Sequence, residues 1–144
     1  MPLMQTSANV TWSGDLMKGS GKLSVGSGAL PELPVTFAAR TESQDGKTTP
    51  EELLAGAHAI CYSMVLANML AKNDTPANTL SVSAVCTLDR VDGALKITTM
   101  ELTVDGDVPG LDRADLARIA DEGERACPVS NALRGNVEIV VNTK

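Results

Sequence analysis

Apolar residues along this chain change their spacing twice, and the changes mark its elements. Up to about residue 40 they come in short runs between glycines and polar turns: Asn9-Val10-Thr11-Trp12, Lys22-Leu23-Ser24-Val25 and Pro34-Val35-Thr36-Phe37-Ala38-Ala39-Arg40. Gly19-Ser20-Gly21 and Gly26-Ser27-Gly28 bracket the second run, and Asp45-Gly46-Lys47 follows the third. Runs of this length with such punctuation predict three strands and their turns.

From residue 50 the period is lost because nearly every position is apolar. Between Leu53 and Leu70 only His58 could carry a charge near neutral pH. Thr49-Pro50-Glu51-Glu52 supplies a capping hydroxyl, a proline at the first helical position and a carboxylate that can reach back to an unpaired amide. A helix is therefore predicted from there to Leu70 or Ala71, stopped by Asn73-Asp74-Thr75-Pro76. Apolar on nearly all sides, it is expected to be buried on nearly all sides.

Strict alternation then sets in. Leu80, Val82, Ala84, Cys86 and Leu88 share one face of a predicted strand. Asp92-Gly93 predicts a hairpin turn. The partner strand runs from Leu95 to Val104, and its apolar parity switches between Ile97 and Met100, which predicts a bulge. A second helix is predicted from Asp112, with Leu116, Ile119, Ala120, Gly123 and Cys127 along one seam. Pro128 breaks it and starts a short helix, and Val137, Ile139 and Val141 predict a last strand. Strands, long helix, two strands, helix and strand make an α+β fold.

The chain has 144 residues, which fits a single domain over 1–144. Aromatics make up only 2%, so the core must be aliphatic, and association between subunits would help bury what one chain leaves open. A net charge of −6 argues against nucleic acid and against an anionic membrane surface as partners. No transmembrane run is read, and residues 1–7 show no basic, apolar leader, so a cytoplasmic location is expected. The three cysteines, 61, 86 and 127, are then expected to be reduced, and their odd number speaks against a disulfide scaffold.

Chemistry centres on two of those thiols. Cys61 lies in the apolar helix, where burial alone would raise its pKa and make it inert, so a reactive Cys61 requires a cation against it. Cys127 precedes Pro128 near a helix start, where backbone dipoles favour thiolate. Electrostatics thus favour Cys127 and protection favours Cys61; spacing does not rank them. Cys86 lies on the apolar strand face and reads as core. Arg40, just before the loop to the long helix, is either a surface charge or the cation that holds a thiolate. Glu51 is either a carboxylate on the helix dipole or the group that orients Arg40. Glu51 and Cys61 are roughly 15 Å apart along one helix axis, so one site using both needs two long helices packed antiparallel, one from each subunit.

His58 lies one turn before Cys61, and a Cys–His pair would suit a thiol hydrolase or acyl transferase. No Asn or Asp is placed to orient its ring, which favours a buried histidine hydrogen-bonded to backbone. A zinc site built from His58 and the cysteines lacks a close ligand pair. No glycine-rich nucleotide motif is present, and no cofactor is expected.

The run Thr49-Pro50-Glu51-Glu52-Leu53-Leu54-Ala55-Gly56-Ala57-His58-Ala59-Ile60-Cys61-Tyr62-Ser63-Met64, followed by Ala126-Cys127-Pro128-Val129-Ser130-Asn131-Ala132-Leu133, resembles the osmotically inducible protein C and organic hydroperoxide resistance family. Ala8-Asn9-Val10-Thr11-Trp12-Ser13-Gly14 is similar too, so the resemblance covers essentially the whole chain. It implies an antiparallel sheet with a long buried central helix, an intertwined homodimer with active sites shared between subunits, and a thiol-dependent peroxidase. By motif, Cys61 matches the peroxidatic cysteine, Cys127 the resolving one, and Glu51 the glutamate at the helix start. In the organic hydroperoxide resistance branch the arginine lies in the N-terminal hairpin, where this chain has only Lys18 and Lys22. Arg40 matches the osmotically inducible branch instead. The implied chemistry runs from a Cys61 sulfenic acid to a Cys61–Cys127 disulfide, reduced by an external dithiol of lipoyl type or a small thiol. An apolar wall from Ile60 and Met64 is expected to favour organic hydroperoxides over hydrogen peroxide. The rival readings are the Cys61–His58 hydrolase or transferase and a redox sensor without turnover.

Overall fold

The computed structural model describes residues Met1–Lys144, which form two compact units, Met1–Pro50 and Glu51–Lys144. In the first, β1 (Ala8–Ser13), β2 (Ser20–Val25) and β3 (Leu33–Val35) make an antiparallel sheet in the order β1-β2-β3. A side chain at Gly21 would strike the Trp12 ring and Val35, so only glycine lets the three strands meet there. Every residue of β1 is exposed. The third predicted strand is cut short. Thr36 accepts a hydrogen bond from the Ala39 amide at 3.2 Å and caps a small helix, α1 (Phe37–Thr41). Ala38, Ala39 and Arg40 are good helix formers, and a capping hydroxyl just before them outweighs the β-pattern of Val35 and Phe37. Arg40 therefore sits in the last turn of a helix, half-buried, and not at a strand end.

The second unit contains most of α2 (Pro50–Lys72), then β4 (Thr79–Val91), β5 (Ala94–Asp107), α3 (Arg113–Ala126), α4 (Pro128–Leu133) and β6 (Glu138–Thr143). Asp92 and Gly93 both take positive φ, 50° and 82°, as the tight turn between β4 and β5 requires. The expected bulge falls where Thr87 pairs Thr99 and Leu88 pairs Ile97, leaving Thr98 as the extra residue. Asp112 caps α3 by accepting from the Asp115 amide at 2.8 Å. The antiparallel expectation fails at one pair: β6 joins β5 in parallel. Two helices intervene between these strands, and a helical crossover returns the chain in its original direction.

The core is formed by Tyr62, Leu66 and Leu70 of α2, Met100, Leu102 and Val104 of β5, and Leu116, Ile119 and Ala120 of α3. At Gly123 an added methyl would come within 2.6 Å of a Leu66 methyl, so glycine sets how closely α3 approaches α2. Burial of α2 on all sides is not met. His58, Tyr62, Leu66 and Leu70, spaced by four, are buried, while Ile60 and Met64 are 58% and 66% exposed. One chain supplies neighbours for only one face. By length and composition alone α2 is apolar enough to span a membrane, contrary to the reading that no such run exists. Its inward stripe packs against β5 and α3, which makes it a core helix of this unit.

Candidate active site

The helical repeat places His58, Cys61 and Tyr62 on one side of α2. Opposite them the chain turns a corner. Cys127 ends α3 and begins α4 with extended backbone angles (φ −74°, ψ 121°), because a residue before proline is excluded from the helical region. The Cys127 amide donates to the Glu124 carbonyl at 3.3 Å, and its carbonyl accepts from the Asn131 amide at 2.9 Å. These bonds hold Cys127, 0% exposed, at the apex of the corner.

The corner meets α2 at the thiols. Both are free, and Cys61 and Cys127 are neighbours, close enough for one thiol to act on the other. The Val129 amide, in the first turn of α4, faces the Cys61 sulfur and favours its ionised form. The helix-start donor expected to serve Cys127 thus serves Cys61, and Cys127 makes no side-chain cap of its own. Burial pushes the Cys61 thiol up; the Val129 amide opposes this, and the neighbouring Cys127 reinforces it. Within one chain Cys61 is therefore held as a thiol. The two thiols differ in accessibility: Cys61 is half-buried, whereas Cys127 is fully buried.

Three further contacts fix this arrangement, and sequence reading anticipated none of them. His58 Nε2 lies 2.7 Å from the Ser130 hydroxyl, both side chains being fully buried. The partner of His58 is thus a side chain and not the expected backbone group. The Tyr62 hydroxyl donates to the Ala120 carbonyl at 2.5 Å. Arg134 Nη1 makes an ion pair with Glu124 Oε1 at 2.8 Å, and its Nη2 donates to the Glu124 carbonyl and to Asn131 Oδ1 at 3.2 and 3.1 Å. Arg134 so ties the end of α3 to α4 across Cys127. The one available signal was an offset: His58 is three residues before Cys61, and Ser130 three after Cys127.

Burial pushes the His58 pKa below its ordinary 6.5, against the opposing pull of the Glu124 carboxylate, and Nδ1 has no hydrogen-bond partner. The unfolded chain can accept a proton near pH 6.5 that the folded protein resists. Stability is therefore unaffected above that pH and falls as pH drops below it, with a slope of at most about 1.4 kcal/mol per pH unit from this group. Urea unfolding of the protein and of His58→Gln at several pH values just below 6.5 is expected to show a flatter slope in the variant. Equal slopes would mean that His58 is already free to ionise in the fold.

Glu51 stands apart from the thiols along α2. Glu51, buried in the first turn of α2, is ten residues before Cys61, about 15 Å along the axis. Its carboxylate lies close enough to Cys86 to add to the upward push that burial gives that half-buried thiol. Arg40 belongs to the N-terminal unit. Of the four sequence-derived site residues, the structure joins Cys61 to Cys127 within the second unit.

Residues 43–142 match the family model described as OsmC-like protein. The peroxiredoxin OsmC of Escherichia coli is 36% identical over 128 residues, 89% of each chain. An organic hydroperoxide resistance protein of Xanthomonas axonopodis is 30% identical over 95 residues, 65% of each chain. The fold matches the crystal structure of an organic hydroperoxide resistance protein OsmC from Legionella pneumophila with a TM-score of 0.80, at 21% identity, covering 100% of this chain and 99% of that one.

Proposed function

This chain belongs to the OsmC-like protein family, and from that premise we propose that it is a thiol peroxidase reducing organic hydroperoxides through Cys61 and Cys127. The observation that carries the reading is the meeting of an accessible and a sealed thiol, with an amide already directed at the accessible sulfur. The names of the relatives, a peroxiredoxin and an organic hydroperoxide resistance protein, point the same way.

In the first step the Cys61 thiolate attacks the outer peroxide oxygen. The S–O bond forms as the O–O bond breaks, and the departing alkoxide takes a proton to leave as alcohol. In the second step the Cys127 sulfur attacks the Cys61 sulfur, the S–O bond breaks, and hydroxide leaves as water with the Cys127 proton. An external dithiol returns the disulfide to two thiols by exchange. The thiolate needs a cation, since burial raises Cys61 within its own chain. We assign that task to Arg40, oriented by Glu51, both from the second subunit of a homodimer. Support for the dimer comes from the exposed Ile60 and Met64 on α2 and from β1, all of whose residues are exposed. The same apolar residues favour an organic substrate tail. The hydrolase alternative is weakened because Ser130 occupies His58 Nε2, and burial keeps the ring neutral.

The test is peptide mapping of the reduced protein after one equivalent of an organic hydroperoxide. A Cys61–Cys127 crosslink within seconds is expected. Oxidation confined to Cys86 or exposed methionines would leave the fold assignment intact and remove the activity.

A further inference from the structure

The contact between α2 and α4 has two rungs. One is the thiol pair. The other is His58 Nε2 and the Ser130 hydroxyl at 2.7 Å, one turn away along each helix. Both polar groups of the second rung are fully buried, so water cannot replace either partner. They are far apart in sequence, and their bond ties the buried face of α2 directly to α4. Three positions separate His58 from Cys61, and three separate Cys127 from Ser130, so fixing the second rung fixes the first.

The geometry points to His58 and Ser130 as a positioning pair for the resolving step: their hydrogen bond holds the Cys127 sulfur in reach of Cys61, and its loss diverts oxidised Cys61 from disulfide to sulfinic acid. This rests on the peroxidase reading for its consequence, though the thiol alignment itself does not. Neither residue touches the peroxide in this scheme. The pair matters once Cys61 is a sulfenic acid, because a second hydroperoxide then competes with Cys127 for the same sulfur. In that competition Cys127–SH and Cys61–SOH condense with loss of water, or Cys61–SOH takes another oxygen from hydroperoxide and releases alcohol. A looser α4 slows only the first of these.

Two readouts in Ser130→Ala, Ser130→Thr and the unaltered protein separate the possibilities. The first is the equilibrium of the Cys61–Cys127 disulfide in dithiol redox buffers, which reports the effective concentration of one thiol at the other without any peroxide. Ser130→Ala is expected to lower it about tenfold, and Ser130→Thr, which keeps the hydroxyl, to restore it. The second is the disulfide-to-sulfinic ratio by intact mass under rising hydroperoxide, expected to fall in Ser130→Ala while the rate of the first oxidation is kept. If Ser130→Ala does not fold, the double variant His58→Leu/Ser130→Ala removes both polar groups without stranding either and serves in its place. An unchanged disulfide equilibrium in a folded variant overturns the proposal. A lowered equilibrium together with a protein whose Cys61 ignores hydroperoxide would keep the positioning pair and overturn the peroxidase reading.

Discussion

Serine in place of Cys61 is expected to abolish hydroperoxide reduction, with a loss on the order of 10⁴-fold or more, as for other enzymes stripped of their nucleophile. No other thiol can substitute. Cys127 is 0% exposed and lies behind Cys61. Cys86 is half-buried on β4, and both burial and the Glu51 carboxylate push its pKa up, away from the reactive thiolate. A serine hydroxyl at position 61 would receive the same Val129 amide but does not ionise at working pH, so it has no lone pair of comparable nucleophilicity. Cys127→Ser is expected to behave differently. Its first oxidation proceeds, the Cys61 sulfenic acid can be trapped with a carbon nucleophile, and turnover with a dithiol is lost as Cys61 passes to sulfinic acid. A dithiol-coupled assay with single-turnover mass measurements checks both. Substantial turnover in Cys61→Ser, or normal turnover without over-oxidation in Cys127→Ser, would sink the two-cysteine mechanism.

The parts of the fold that sequence reading anticipated are those decided by neighbours along the chain. Thr49-Pro50 starts α2, Asp112 caps α3, Asp92-Gly93 closes the hairpin, and the parity switch after Ile97 marks a bulge. Each is settled within about four residues. What escaped depends on distant segments or on a balance between local preferences. The Val35–Arg40 stretch could be strand or helix, and Thr36 tips it to helix. The parallel entry of β6 follows from where α3 and α4 return the chain. Full burial of α2 was inferred from composition, but composition does not count how many faces one chain can cover.

At the site the same division holds. The two cysteines stand out because each sits in unusual local surroundings. Their meeting, and the Val129 amide turned toward Cys61 in place of Cys127, comes from the seating of α4 on α2. Ser130 read alone is an ordinary residue of a short helix, and His58 an ordinary buried histidine. Their bond joins positions 72 residues apart. Only tertiary structure gives either of them a role.

Mixing Cys61→Ser subunits with Arg40→Ala subunits is expected to restore activity that neither protein has alone. Arg40→Ala by itself is expected to slow peroxide reduction about a hundredfold or more, since the guanidinium both favours the thiolate and binds the peroxide oxygen. If the site combines the thiols of one subunit with Arg40 and Glu51 of the other, a mixed dimer has one site with every group intact and one lacking two. Random pairing makes half the dimers mixed, so the mixture should reach about a quarter of the unaltered rate per subunit, given a twofold-symmetric dimer. Two physical facts favour this result over a site within one chain. Glu51 and Cys61 are ten residues apart on one rigid helix, about 15 Å, and no bend of α2 brings them together. Burial also raises the Cys61 thiol in its own chain, and no cation is among the groups that act on it there. Co-expression with two different affinity tags isolates the mixed dimer and raises the expected value to about half. A mixed dimer as inactive as its parents would place the cation and the thiols in the same subunit. Full activity in Arg40→Ala alone would instead remove Arg40 from the site and leave the thiolate to be stabilised by another cation.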